Sequence, residues 1–207
     1  MRAAVLVLCA CLATLAAACG GSDGDSAPDV AARSLVLTQQ DVPPLYESNN
    51  SLSGPVSNEE VAVGRPEGYV DRLEEWGRVG GYSAQFVNDL EASPTKGVGQ
   101  RSIDSLASVY EEEDGASESF AAGLQGYKDA DFKPAGTIRL GDDARAFRGS
   151  ATLQGKAVEY LVVTWRRGPI ISSVVTSAPP RKVSLALVER LARKQDQRIS
   201  RELSAAA

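Results

Sequence analysis

The sequence predicts an α+β domain: a mainly antiparallel sheet of about five strands, two or three helices packed on it, and a long C-terminal helix. Three observations carry this. First, the extended stretches Ala144 to Thr152, Lys156 to Arg167 and Pro169 to Ser177 follow one another with short turns between them, and strands joined by short turns pair antiparallel. Second, two further strand-like segments lie upstream, divided from these by a helix-period stretch. Third, residues 184–203 repeat apolar positions with a helical period.

The elements follow in order. Ser34-Leu35-Val36-Leu37 begins the ordered part, and Thr38 to Asp41 forms a short helical turn before Pro43-Pro44. Residues 47–64 are polar and read as loop. Arg65 to Trp76 reads as a helix, with Tyr69, Leu73 and Trp76 at i, i+4 and i+7. Pro66 suits its first turn, and Gly77, Gly80 and Gly81 stop it. Tyr82 to Leu90 places Tyr82, Ala84 and Phe86 on one side of a strand. After the turn formers Ser93 to Gly97, Arg101 to Tyr110 puts Ile103, Ala107 and Val109 on one face. Ser102, Asp104 and Ser108 occupy the other, where Leu106 and Tyr110 interrupt the polarity.

Glu111 to Asp114 precede a helix whose apolar stripe is Ala116, Phe120, Leu124 and Tyr127. Asp114 is its candidate cap. We read this acidic run as a solvated start matched to the helix dipole rather than as a cation site. In the stretch VEYLVVTW, residues 158–165, both faces look buried. Arg166-Arg167-Gly168 makes a hairpin turn, with Gly168 supplying a positive φ. Pro179 and Pro180 end the sheet. In the last helix, Leu187, Leu191, Ile199 and Leu203 share a face with Val188 and Ala192, while Arg190, Arg193, Lys194 and Arg201 stay in water. There is no internal repeat.

The chain holds no histidine, which removes the commonest general base and metal ligand and every Ser-His or Cys-His pairing. Gly20-Gly21-Ser22-Asp23-Gly24 spells G-x-S-x-G, but without a preceding strand or a histidine partner. Ser93-Pro94-Thr95-Lys96 spells S-x-x-K inside a turn, where the serine-lysine enzymes need a helix start. Asp142-Asp143 and Asp129/Asp131 fit turns and caps better than acid–base pairs or a calcium loop. Gly97-Val98-Gly99 lacks the third glycine and the helix of a phosphate loop. We therefore expect no catalytic residue, no metal ligand and no cofactor.

All three cysteines, Cys9, Cys11 and Cys19, fall within the first nineteen residues. Arg2 precedes the apolar run AAVLVLCACLATLAAAC, which gives way abruptly to GGSDGDSAPD. A basic start, an apolar core and small residues at its end describe a secretory signal segment. The run falls short of the roughly 20 apolar residues of a membrane span. The expected organisation is a signal peptide over residues 1–18, a flexible tether over 19–34 and one globular domain over 35–207. Cleavage after Ala18 removes Arg2, one of the 22 basic residues, and none of the 27 acidic ones, so the net charge moves from −5 to about −6. That sign argues against a nucleic-acid partner and against broad electrostatic adhesion to anionic lipid, leaving acyl chains as the expected anchor.

Leu15-Ala16-Ala17-Ala18-Cys19 resembles the lipobox of bacterial lipoproteins, with leucine one place further upstream than the commonest pattern has it. The resemblance implies diacylglycerol on the Cys19 sulfur and cleavage between Ala18 and Cys19; Ala16-x-Ala18 also suits an ordinary signal peptidase cutting the same bond. Two acyl chains such as palmitate hold a protein stably at a membrane where one does not, and acylation accounts for an otherwise unpaired exported thiol.

Leu35-Val36-Leu37-Thr38-Gln39-Gln40-Asp41-Val42-Pro43, Leu140-Gly141-Asp142-Asp143-Ala144 and Val163-Thr164-Trp165-Arg166-Arg167-Gly168 occur in that order. They resemble segments of small secreted lipoproteins and sensor-like extracytoplasmic domains of high-GC Gram-positive bacteria. That resemblance implies a non-catalytic binding, sensor or partner-interaction module at the outer face of the cell membrane. Its partner would be an unknown protein or apolar ligand. Trp165, Tyr160, Tyr110 and Phe120 are the candidates to line an apolar groove between sheet and helix. The alternatives are an envelope hydrolase acting through paired carboxylates, such as a glycosidase, and a structural subunit of a membrane complex.

Overall fold

The computed structural model describes residues 32–88, 101–153, 155–182 and 184–206. They form an α+β fold around one eight-stranded antiparallel sheet. Its strands are β1 (Glu47–Ser48), β2 (Gly54–Val56), β3 (Arg78–Asn88), β4 (Arg101–Tyr110), β5 (Lys133–Gly136), β6 (Asp143–Leu153), β7 (Lys156–Arg167) and β8 (Ile170–Ala178). They lie in the order β1-β3-β4-β8-β7-β6-β5, with β2 also paired to β3. The helices are α1 (Asn58–Ala62), α2 (Tyr69–Glu75), α3 (Glu113–Asp129) and the long C-terminal α4 (Leu185–Ala206); residues 32–34 add a helical turn.

The five long strands are the five the sequence predicts; β1, β2 and β5 exceed that expectation, β1 and β2 in the stretch read as loop and β5 where no element was expected. The expected loop over 47–64 also holds α1, closed by a capping box in which Ser57 and Glu60 satisfy each other's backbone N–H. α2 begins at Tyr69, after Gly68, so Pro66 lies in the turn ahead of the helix rather than in its first turn. Asp114 does not cap α3; Glu112 holds the cap position without a side-chain bond, and Glu113 and Asp114 occupy the first turn. β3 starts at Arg78 rather than at Tyr82. Gly80 and Gly81 pair with Val109 and Ser108 instead of breaking the chain. A Cβ on Gly81 would lie 2.6 Å from Arg78 Nη2, so the missing side chain makes room for a guanidinium folded over the strand.

The sheet is buried on both faces, which the alternation along β7 shows directly: Val158 to Trp165 are all buried. Leu161, Val163 and Trp165 join Ile103, Ala107, Val174, Leu37, Leu191 and Ile199 in the larger core under α4 and the segment around Leu35–Leu37. The even positions of β7 face α3, which packs across β4, β8 and β7. Leu106 and Tyr110, which broke the polar face of β4 in the sequence, belong to this second layer. Tyr127 of α3 stacks on Phe147 of β6 with ring centroids 4.9 Å apart. Helices therefore cover both faces, in keeping with the two-sided apolar pattern of residues 158–165. Ala32 is already fully buried, so the packed domain reaches at least three residues ahead of the expected boundary at 35.

Candidate functional site

The segment around Leu37, the end of β7 and the C-terminal half of α4 meet at one corner, and polar side chains join them. Ser105 of β4 accepts from the Leu37 N–H at 2.9 Å and donates to Gln195 Oε1 at 2.8 Å. Gln195 Nε2 then donates to the Leu106 carbonyl at 2.9 Å. Ser105 and Gln195 are wholly buried. Each of these polar groups has a partner, as burial demands. Arg167 of β7 grips Asp196 of α4 through two bonds of 2.8 and 2.7 Å. Hydrogen bonding to that carboxylate raises the Arg167 pKa above its usual value.

Outside this corner, Asp41 ties the early segment to α4. Its carboxylate accepts from Thr38 N–H and hydroxyl, both at 2.9 Å, and from Arg198 Nη2 at 2.7 Å. Burial by itself would raise the Asp41 pKa; the Thr38 bonds, with Arg198 and Lys194, outweigh it and hold the carboxyl below its ordinary value. Lys194 Nζ donates to the Asp41 carbonyl at 2.8 Å, and Ser34 donates to Glu202 at 3.3 Å. The arc of α4 opposite the core carries exposed Arg190, Arg193, Lys194, Gln197 and Arg201. An open depression of about 390 Å³ lies against it, with Ala186 and Glu189 at its margin.

A second polar cluster sits on the α3 face of the sheet. Asp104 of β4 is half-buried and accepts from Gln85 Nε2 at 2.6 Å and Ser102 Oγ at 2.9 Å. Asn49 donates to Gln85 at 3.0 Å, and Ser102 meets Ser177 at 2.8 Å. Poor solvation pushes the Asp104 pKa up, against the pull of the two hydrogen bonds. A single carboxyl held by an amide and a hydroxyl can accept or give a proton, but it is not the pair that glycoside hydrolysis requires. At the other end of β3, Arg78 is buried and bonded to Asn58 Oδ1, the Val56 carbonyl and Ser108 Oγ. Burial lowers its pKa. It fastens β2 and α1 to β3.

The aromatic residues expected to line a groove do not converge. Trp165 is wholly buried under α4, whereas Tyr160 points to the opposite face of the same strand. Tyr110, bonded to Ser119 at 2.7 Å, and Phe120 lie on the α3 side. All four are packed core side chains. Of the acidic pairs, Asp142 accepts from the Gly168 N–H at 2.7 Å and faces Arg166. Asp143 pairs with Arg145 and Asp131 with Lys133, and Asp129 accepts from Gln125. These are turn and surface roles.

Two of the three segments singled out in the sequence, Leu140–Ala144 and Val163–Gly168, touch one another. The Asp142 N–H donates to the Arg166 carbonyl at 2.8 Å. Gly141 has φ +51°, and a Cβ there would collide with that same carbonyl oxygen. The segments Leu140–Ala144 and Val163–Gly168 thus form a single clasp at the β7–β8 hairpin, where Gly168 has the expected positive φ of 53°.

Ala18, Cys19 and the tether up to residue 31, together with Cys9, Cys11, Ser93–Lys96 and Gly97–Gly99, lie outside the described residues; tether residues 32–34 instead form a helical turn of the packed domain. Among the described residues no group of three or more acidic, histidine or cysteine side chains is placed to hold a metal ion, and no helix is long and apolar enough to cross a membrane. Sequence reasoning missed Ser105, Gln195 and Asp196, because a polar residue on a strand or helix carries no signal of being turned inward. No known protein family matches the sequence, and neither curated proteins nor solved structures give a match.

Proposed function

We propose that this chain is a membrane-anchored lipoprotein, cut between Ala18 and Cys19 and acylated on Cys19, whose α+β domain acts by binding rather than catalysis outside the cytoplasm. The observation that carries the reading is the position of Cys19, at the junction of an apolar run and the small, acidic stretch GGSDGDSAPD. Twelve residues separate Cys19 from Ala32, where the packed domain is already under way; fully extended they reach about 40 Å. Glycine, serine and aspartate suit such a solvated tether. A protein or apolar ligand presented at the membrane is the partner class. The clasp at Gly141 and the Ser105–Gln195 network support a rigid platform for it.

Cys19→Ser tests the reading. The wild-type chain partitions with membranes and is released by detergent, while the variant leaves the membrane fraction or accumulates uncut. Equal detergent-dependent membrane retention and equal processing of the two chains overturn it.

A further inference from the structure

We propose that the outward face of α4 docks on the anionic phospholipid headgroups of the bilayer to which the chain is tethered. The location rests on the anchored reading above; the chemistry rests on α4 alone. Arg190, Lys194, Gln197 and Arg201 recur at i, i+4, i+7 and i+11, with Arg193 beside them, opposite the buried Val188, Leu191, Gln195 and Ile199. The acidic residues of the helix are kept off this stripe. Asp196 turns inward to Arg167, Glu189 flanks the stripe and pairs with Arg193, and Glu202 meets Ser34. Asp41 bonds Arg198 through its carboxylate and Lys194 through its carbonyl oxygen, its charge also acting on Lys194. Exposed Arg139 adjoins the stripe, its carbonyl 3.4 Å from Arg193 Nη1. A chain with a net charge of −5 thus carries a local basic stripe of Arg190, Arg193, Lys194 and Arg201 on this helix, with Arg139 beside it.

That surface lies where the tether begins. Residues 32–41 run beside the C-terminal half of α4, as Ser34–Glu202 and Asp41–Arg198 show. α4 spans 22 residues, about 33 Å, so an anchor within about 40 Å of Ala32 keeps the whole stripe within reach of the headgroups. A tether of this length holds the face at an effective concentration near millimolar, so an attraction that binds a free domain only at millimolar lipid is enough to orient a tethered one. Each basic residue at an anionic surface strengthens binding about five-fold, the equivalent of about 1 kcal/mol.

The test uses residues 20–207, which retain the complete described core and carry no acyl chain, so its outcome is independent of what happens at Cys19. Co-sedimentation is measured against millimolar phosphatidylcholine vesicles with and without about 40% phosphatidylglycerol, in low and high salt. The expected result is binding that requires phosphatidylglycerol and fades with salt. Arg190→Gln with Arg201→Gln should weaken it about 25-fold. Lys128→Gln with Lys133→Gln, the same charge change on another surface, should leave it within about twofold. Circular dichroism verifies that all variants are folded. Absence of phosphatidylglycerol-dependent binding, or equal losses in the two double variants, overturns the proposal and leaves the anchored reading standing.

Discussion

Ser105→Ala probes the joint that fixes where the chain leaves the domain. The substitution removes one oxygen and almost no volume, so it opens no appreciable cavity. It strands two groups that no water reaches: the Leu37 N–H loses its acceptor and Gln195 Oε1 loses its donor. A buried polar group without a partner costs about 1–3 kcal/mol; with some relaxation of the Gln195 amide, the pair amounts to about 3 kcal/mol. For a domain of this size that lowers Tm by about 6–12 °C. Urea unfolding followed by tryptophan fluorescence is the assay, because Trp165 is wholly buried and reports the packed state. The double variant Ser105→Ala with Gln195→Met replaces both partners with apolar groups, so its cost should fall below the sum of the single costs by about 1 kcal/mol. A Ser105→Ala chain within about 0.5 kcal/mol of wild type, or strictly additive single and double variants, would refute the network as a working joint.

Two further outcomes follow from buried charge. The raised pKa of Asp104 means that the folded state holds its proton more tightly than the unfolded chain does. Its contribution to stability is full below the ordinary carboxylate range and is lost as pH rises through the folded pKa. Asp104→Asn should therefore be more stable than wild type near neutral pH, with the gain shrinking on acidification; a variant equally destabilised across the whole range contradicts this. Asp196→Ala leaves a half-buried guanidinium without its two-point partner, for a loss of about 2 kcal/mol. Arg167→Lys, which keeps the charge but not the fork, should lose a substantial part of that, and thermal unfolding of the two variants distinguishes forked bonding from charge alone.

The parts of this fold that the sequence declares are those in which one physical signal repeats. β7 shows itself by eight consecutive apolar or inward positions and α4 by an apolar arc carried from Leu187 to Leu203, more than four turns. Short edge strands offer no such repetition. β1 is the polar pair Glu47–Ser48 and β5 contains Pro134, and both exist because a long neighbour supplies the ladder. The inward turn of Gln195 and Asp196 is invisible for a different reason: their composition is that of a wet face, and only tertiary partners on β4 and β7 reveal the burial. Strand parity, by contrast, was available from the start. Tyr160 and Trp165 are five residues apart on one strand, so they cannot line the same groove. Arg190, Arg193, Lys194 and Arg201 were legible as a wet basic face; that residues 32–41 run alongside them was not, because it depends on Asp41 and Ser34 meeting a helix some 160 residues away.

The anchored reading stands or falls at a single sulfur. Intact-mass and N-terminal peptide analysis of the chain recovered from bacterial membranes measures it directly. The account predicts a chain that begins at Cys19 and carries a diacylglyceryl group on that residue. A product that still holds residues 1–18, or one that starts at Cys19 with an unmodified thiol, contradicts it.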